Sequence, residues 1–361
     1  MSTLITIDLD ALIANYRACA ERFQPASVAA VVKANAYGLG IRKIAPALYF
    51  AGCRQFFTAT HREGMKLRSI LPDADIFVFE GVTGRSAGHL LKNRLVPVLH
   101  TPEQVTCWSA QAESGGQPLP AIIDIDTGMT RLGMGESELR QVAKNPAGLE
   151  QLDLRYVMTH FASAEESGAE LAKQQLERYT QLRSLLPAAP SSIGNSAGAL
   201  LGGRFAGDMV RVGIALYGGN PFPHGEPPFA PVLRIQSKIL QLREIREAVT
   251  VGYGATHTAA AGSRIATVGT GYADGYPWSL GNKGIASVGG YRVPVVGRIS
   301  MDLITLDVTN VPEHLVQPGQ RVDLIGPQVS LEEVAQRAGT INYEILTRLG
   351  QRARRKFLGG P

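Results

Sequence analysis

The sequence predicts an α/β chain in two parts, an N-terminal (β/α)8 barrel followed by a mostly β C-terminal domain. Three observations lead there. Short β-branched runs alternate with amphipathic stretches of crossover-helix length up to about residue 220, a Pro-rich segment interrupts, and from Val232 onward short alternating strands with Gly turns take over. At 361 residues the chain exceeds what one core usually supports, and a content of 45% apolar and 19% charged residues suits a folded globular protein.

The opening TLITIDLD alternates, and we expect a strand that belongs to the distant second domain. The barrel strands follow as VAAVV, QFFTAT, DIFVFE, LVPVLH, AIIDIDTG, RYVMTHFA, SSIGNS and MVRVGIALYG. Stretches such as Leu12 to Phe23 and Glu170 to Leu186 supply the crossovers, which favours a closed barrel over an open doubly wound sheet. NPFPHGEPPFAP marks the boundary, because Pro continues neither a helix nor a central strand. The barrel is placed at residues 9–222, and the β-domain at 1–8 with 231–361. Its strands are RIQSKILQLREI, RIATVGTGYADG, YRVPVVGRISMDLITLDV and QRVDLIG, with one helical pattern beginning near Ser330.

The start lacks a basic region followed by a long apolar run, and no later segment is apolar for a bilayer's thickness, so a cytoplasmic protein without membrane association is expected. Cys19, Cys53 and Cys107 are odd in number and not at metal-ligand spacing, which reads as reduced, mostly buried thiols and no metal. The net charge of +5 is accounted for by Arg348, Arg352, Arg354, Arg355 and Lys356, with no acid after Glu344. That tail lacks interleaved aromatics and any nucleic-acid motif, so a solvated or internally paired terminal strand is expected and no nucleic-acid partner.

Barrel chemistry sits at the C-terminal ends of strands. The first strand delivers Lys33 and then Tyr37, the fifth Asp126 and Arg131, the sixth His160, the seventh Asn195 and Ser196, and the eighth Arg211, Gly213 and Ile214. An amine that attacks an aldehyde must be partly desolvated and rigidly held, which the end of an apolar strand provides for Lys33. Gly-flanked amides at the last two strand ends are where barrels commonly hold phosphate. One ligand carrying both an aldehyde and a phosphate, pyridoxal 5'-phosphate, fits this placement.

VVKANAYGLG, DTGMTRLG, THFA, NSAG, RVGIALYG, VGYGAT, GYADGY, GRISMD and INYE occur in order along nearly the whole chain. Together they resemble the pyridoxal-phosphate-dependent alanine racemases. The resemblance implies a barrel followed by a β-domain, and a homodimer whose active sites are shared between subunits. Lys33 matches the family's Schiff-base Lys and Tyr253 its second catalytic base. Arg211 matches the Arg facing the pyridine nitrogen, and His160 the His between that Arg and the catalytic Tyr. Tyr37, Ser196, Gly213, Ile214 and Tyr343 match the phosphate set, and Tyr272 with Tyr343 the gate residues. Arg131 matches the Arg that supports the cofactor's phenolic oxygen and the substrate carboxylate, while Met301 supplies a backbone amide near that carboxylate. The implied reaction is interconversion of L- and D-alanine, supplying D-alanine for peptidoglycan.

Racemisation removes the Cα proton from one face and returns one to the other, so two bases on opposite sides are the direct solution. Lys and Tyr have reference pKa values of ~10, so both need shifting at neutral pH, and a His160–Arg211 relay is expected to favour the Tyr253 phenolate. Arg211 disfavours protonation of the pyridine nitrogen and so shortens the carbanion's life. Barrel decarboxylases of similar architecture carry a Glu there and a Cys-containing motif in the β-domain, where this chain has Ser300, Met301 and Asp302. Decarboxylation is the alternative reading, and a non-catalytic pyridoxal-phosphate carrier is disfavoured by the whole second domain. One departure concerns a Lys, carbamylated in many relatives, whose place is taken by Asp124. We expect its carboxylate to replace the carbamate's charge and orient Arg131 directly or through water. A second departure, Leu39 where many relatives have His, is given no role.

Overall fold

A computed structural model describes residues 3–165, 170–222, 225 and 227–360. Pro223, His224 and Glu226 of the boundary segment and the first two residues of the chain lie outside the described residues.

Strand β1 (Leu4–Asp8) leads into the helix Leu9–Arg22, which Asp8 caps by accepting from Ala11 N at 2.9 Å. Eight parallel strands then follow: β2 (Ser27–Val31), β3 (Gln55–Thr58), β4 (Asp75–Val78), β5 (Leu95–Leu99), β6 (Leu119–Asp124), β7 (Leu152–Met158), β8 (Ser191–Ser192) and β9 (Met209–Val212). They run in the order β8-β7-β6-β5-β4-β3-β2-β9. A parallel bridge between Asn195 and Arg211 joins β8 to β9 and closes the ring. All of these strands had been expected from the sequence. Helices cover the outside while side chains fill the interior, so residues of both faces are apolar: Phe56, Phe57, Phe77, Val98, Ile122 and Ile123 are wholly buried.

The second sheet is built on β10 (Leu233–Glu244), long enough to hold different neighbours along its length. There follow β11 (Val249–Thr250), β12 (Thr258–Ala259), β13 (Arg264–Val268), β14 (Ile285–Val288), β15 (Tyr291–Pro294), β16 (Ile304–Asp307), β17 (Arg321–Ile325) and β18 (Arg354–Leu358). β10 pairs antiparallel with β1, β13 and β17, and β18 runs parallel to β1. Thus the first and last strands are neighbours, with Leu4 opposite Arg354. Ile5 and Ile7 are fully buried there, each worth ~1.5–3 kcal/mol.

YRVPVVGRISMDLITLDV contains two strands, β15 and β16, because its middle forms a loop carrying Met301. The strands β11, β12 and β14 and the helix Asn342–Thr347 were not foreseen; elements of two to six residues carry too little periodicity to read. The helix Leu331–Ala338 starts where expected, with Ser330 accepting from Glu333 N at 3.1 Å. The basic tail is internally paired: Arg355 donates to Gly38 O at 3.0 Å, and Arg348 meets Glu344 at 3.1 Å.

Candidate active site

Lys33 follows β2 directly, and the chain then enters a left-handed turn in which Ala34, Asn35, Ala36 and Tyr37 have φ of 52° to 56°. L-residues cost about 1–2 kcal/mol each in that conformation, so the surroundings must hold it. The Glu63 carboxylate accepts from Ala34 N and Ala59 N, both at 2.8 Å, and Asn35 Oδ1 accepts from Ile41 N at 3.1 Å. A loop after Lys33 agrees with the sequence, but its left-handed backbone and its support by Glu63 were not foreseen, since Ala and Asn carry no mark of that conformation. Solvent reaches Lys33 from the barrel mouth, yet the surrounding protein lowers its pKa. Burial is the main cause, Arg131 and Arg211 act the same way, and Glu63 opposes them. Its Nζ stands 5.5 Å from the centroid of the Phe79 ring.

Arg211, on β9, is 2% exposed. Its Nη1 donates to Ser192 O and Oγ at 2.7 and 2.8 Å, and its Nη2 to Thr159 O at 2.7 Å. Nη2 also lies 3.3 Å from His160 Nδ1. Guanidinium nitrogens only donate, so Nδ1 accepts and the ring proton rests on Nε2. Burial, then Arg211, Arg131 and Lys33, push the His160 pKa down to about 3. The ring is therefore neutral. The expected relay is corrected accordingly: the positive field comes from Arg211, whose own pKa of about 10, lowered by burial against Asp124 and Tyr179, leaves it charged at neutral pH. Arg211 Nε is buried and without a hydrogen-bond partner among the described residues. That is an unused donor of the kind a pyridine nitrogen accepts from.

Asp124 ends β6 beside His100, which follows β5. His100 Nδ1 lies 3.0 Å from Asp124 Oδ2, and its Nε2 lies 2.5 Å from Phe79 O. A carbonyl only accepts, so Nε2 is protonated and a second proton sits between Nδ1 and Oδ2. The expected direct contact of Asp124 with Arg131 is absent among the described residues: the short carboxylate is taken by the neighbouring strand's His, and its Oδ1 is buried without a partner among them. Arg131 is exposed on the following loop and has no hydrogen-bond or ion-pair partner among the described residues. Its charge is nevertheless felt at Lys33 and His160.

A second group lies around the ends of β8 and β9. Gly213 N donates to Ser196 Oγ at 3.1 Å, and a Cβ on Gly213 would stand 2.2 Å from Tyr37 Oη. Ile214 begins the short turn Ile214–Tyr217, and the Tyr343 ring centroid is 6.1 Å from that of Tyr37. The Tyr37 and Ser196 hydroxyls and the Gly213 amide converge here, groups of the kind a phosphate requires. The residues present fit pyridoxal phosphate at both ends, through the Arg211 Nε donor and this glycine-floored cradle.

Tyr253 and Met301 are not brought to this mouth. Their side chains are 70% and 53% exposed on the β-domain, as is Tyr272 at 45%.

The description "Alanine racemase, N-terminal domain" matches residues 7–221, and "Alanine racemase, C-terminal domain" matches residues 232–357. An alanine racemase of Rhodospirillum rubrum is 46% identical, covering 99% of this chain and 96% of its own. One of a Methylobacterium species is 44% identical, covering 98% and 97%. Among solved structures, alanine racemase from Bartonella henselae with covalently bound pyridoxal phosphate superposes with a TM-score of 0.95 at 38% identity, covering 99% of this chain and 100% of that one.

Proposed function

The chain belongs to the alanine racemase family, and on that premise we propose how its residues divide the work of interconverting L- and D-alanine. The protein is an isomerase that uses pyridoxal phosphate. When bound, the cofactor draws electrons from the substrate's Cα and makes its proton acidic.

Lys33 would hold the cofactor through Nζ and, as a free amine, would hold and return the Cα proton on one face. Its lowered pKa suits it to that task at neutral pH. Tyr253 of the partner subunit serves the opposite face through Oη. Neutral His160 would offer Nε2–H toward that phenol, and Arg211 would offer its Nε–H to the cofactor's ring nitrogen. Tyr37, Ser196, Gly213, Ile214 and Tyr343 hold the phosphate. Arg131 and the Met301 amide receive the substrate carboxylate.

The carrying observation is buried Arg211 with one free donor. A cation there would disfavour protonation of a bound cofactor's ring nitrogen.

Exposed Tyr253, Tyr272 and Met301 support a homodimer with shared sites. The barrel at 9–222 and the β-domain at 1–8 with 231–361 are the units we assign. Among the described residues no helix is long and apolar enough to cross a membrane. We place the protein in the cytoplasm, where Cys19, Cys53 and Cys107 stay reduced, supplying D-alanine for peptidoglycan.

The test is incubation of the purified protein with L-alanine in deuterium oxide. Loss of optical rotation with deuterium at Cα is expected. Release of carbon dioxide, or no exchange, refutes the reading.

A further inference from the structure

Arg352 lies outside the site described above, yet it ties together the two loops that carry Tyr272 and Met301. Its Nε donates to Asp274 Oδ1 at 2.8 Å, and its Nη2 to Asp274 Oδ2 at 3.0 Å. The same Nη2 meets Asp302 Oδ1 at 2.7 Å and reaches Met301 O at 3.5 Å. Asp274 is buried and closes the turn Tyr272–Asp274 by accepting from Gly271 N at 3.0 Å. Asp302 directly follows Met301. One planar fork therefore spans both loops.

The backbone makes the same connection. Tyr272 N donates to Ser300 O at 3.2 Å, and Ala273 N to Met301 O at 3.1 Å. The approach is close enough that a Cβ on Gly271 would stand 2.3 Å from Ser300 O and 2.4 Å from Met301 O. Gly350 N, two residues before Arg352, donates to Asp274 O at 2.9 Å, which anchors the clamp at its base. An exposed ion pair alone is worth little. Here the main partner is buried, the contact is bidentate, and two further acceptors belong to the second loop, a geometry that Lys does not reproduce.

We propose that Arg352 is a positioning residue for substrate binding, holding the Tyr272 side chain and the Met301 amide in fixed register at the site they serve. This rests on the preceding subsection's assignment of the Met301 amide to the substrate carboxylate and of Tyr272 to the shared site.

The test uses Arg352→Lys holoenzyme. The expected result is a KM for L-alanine raised about tenfold, with kcat within about twofold, an unchanged melting temperature and faster hydrogen exchange at the Tyr272 and Ala273 amides. Asp302→Asn, which weakens one arm only, should shift KM the same way by less. Unchanged exchange overturns the clamp. Faster exchange with an unaltered KM overturns the positioning role, as does a joint fall of kcat, KM and melting temperature. Failure of the underlying assignment shows separately: Tyr272→Ala would leave KM unaltered although Arg352→Lys still speeds exchange.

Discussion

Replacing Gly213 by Ala puts a methyl group 2.2 Å from Tyr37 Oη and 3.0 Å from its Cζ. Ordinary contacts need about 3.4 Å, so the phenol must retreat by about 1 Å. Little room exists for that. The Tyr37 ring packs at 4.7 Å on Tyr217, whose hydroxyl is fixed to Val31 O at 2.9 Å, and the Tyr37 backbone belongs to the left-handed turn. Gly213 itself has φ of −118°, so left-handed conformation plays no part in the cost. A displacement of this size in a group that positions a ligand is worth about 100-fold, or about 2.7 kcal/mol. The assay is titration of dialysed protein with pyridoxal phosphate, followed by the absorbance of the bound cofactor. Gly213→Ala should bind about 100-fold more weakly than wild type. Adding Tyr37→Phe removes the closest atom and should recover about tenfold, the remaining loss reflecting the hydroxyl and the 3.0 Å contact. Wild-type affinity in the single variant, or a double variant no better than the single, refutes the cradle.

Mixing Lys33→Ala with Tyr253→Phe chains should restore roughly a quarter of wild-type activity, because half the dimers are mixed and each has one intact site of two; no recovery despite demonstrated subunit exchange refutes shared sites. The His160 pKa of about 3 in the fold lies below the unfolded value of ~6.5, so the unfolded chain takes up the proton first as pH falls. Stability gained from the neutral ring is full above about 6.5 and drains away toward 3, and His160→Gln should flatten that limb in urea titrations. An identical acid limb in the variant would contradict a neutral His160.

The barrel strands were legible because each is an apolar run bounded by polar crossovers, a pattern that depends on burial alone. Lys33, His160, Arg211 and Ser196 were legible too, since a barrel sends the ends of all its strands to one rim. The left-handed path of the turn after Lys33 was not. Alanines and an asparagine carry no mark of left-handed backbone, and its support, Glu63, comes from another strand-helix unit. Nor was the partner of Asp124, because His100 is separated from it by a whole crossover and meets it only through the alignment of β5 with β6.

Sequence by itself determined which residue types the reaction has available and which segments fold into strands. Tertiary structure decided their surroundings: a neutral His160 against Arg211, a hydrogen-bonded His100–Asp124 pair, and Arg352 astride two loops. The physical reason is range. Strand formation answers to local alternation of apolar and polar groups, whereas protonation and orientation answer to neighbours within a few ångströms, and the fold alone chooses those neighbours from distant parts of the chain.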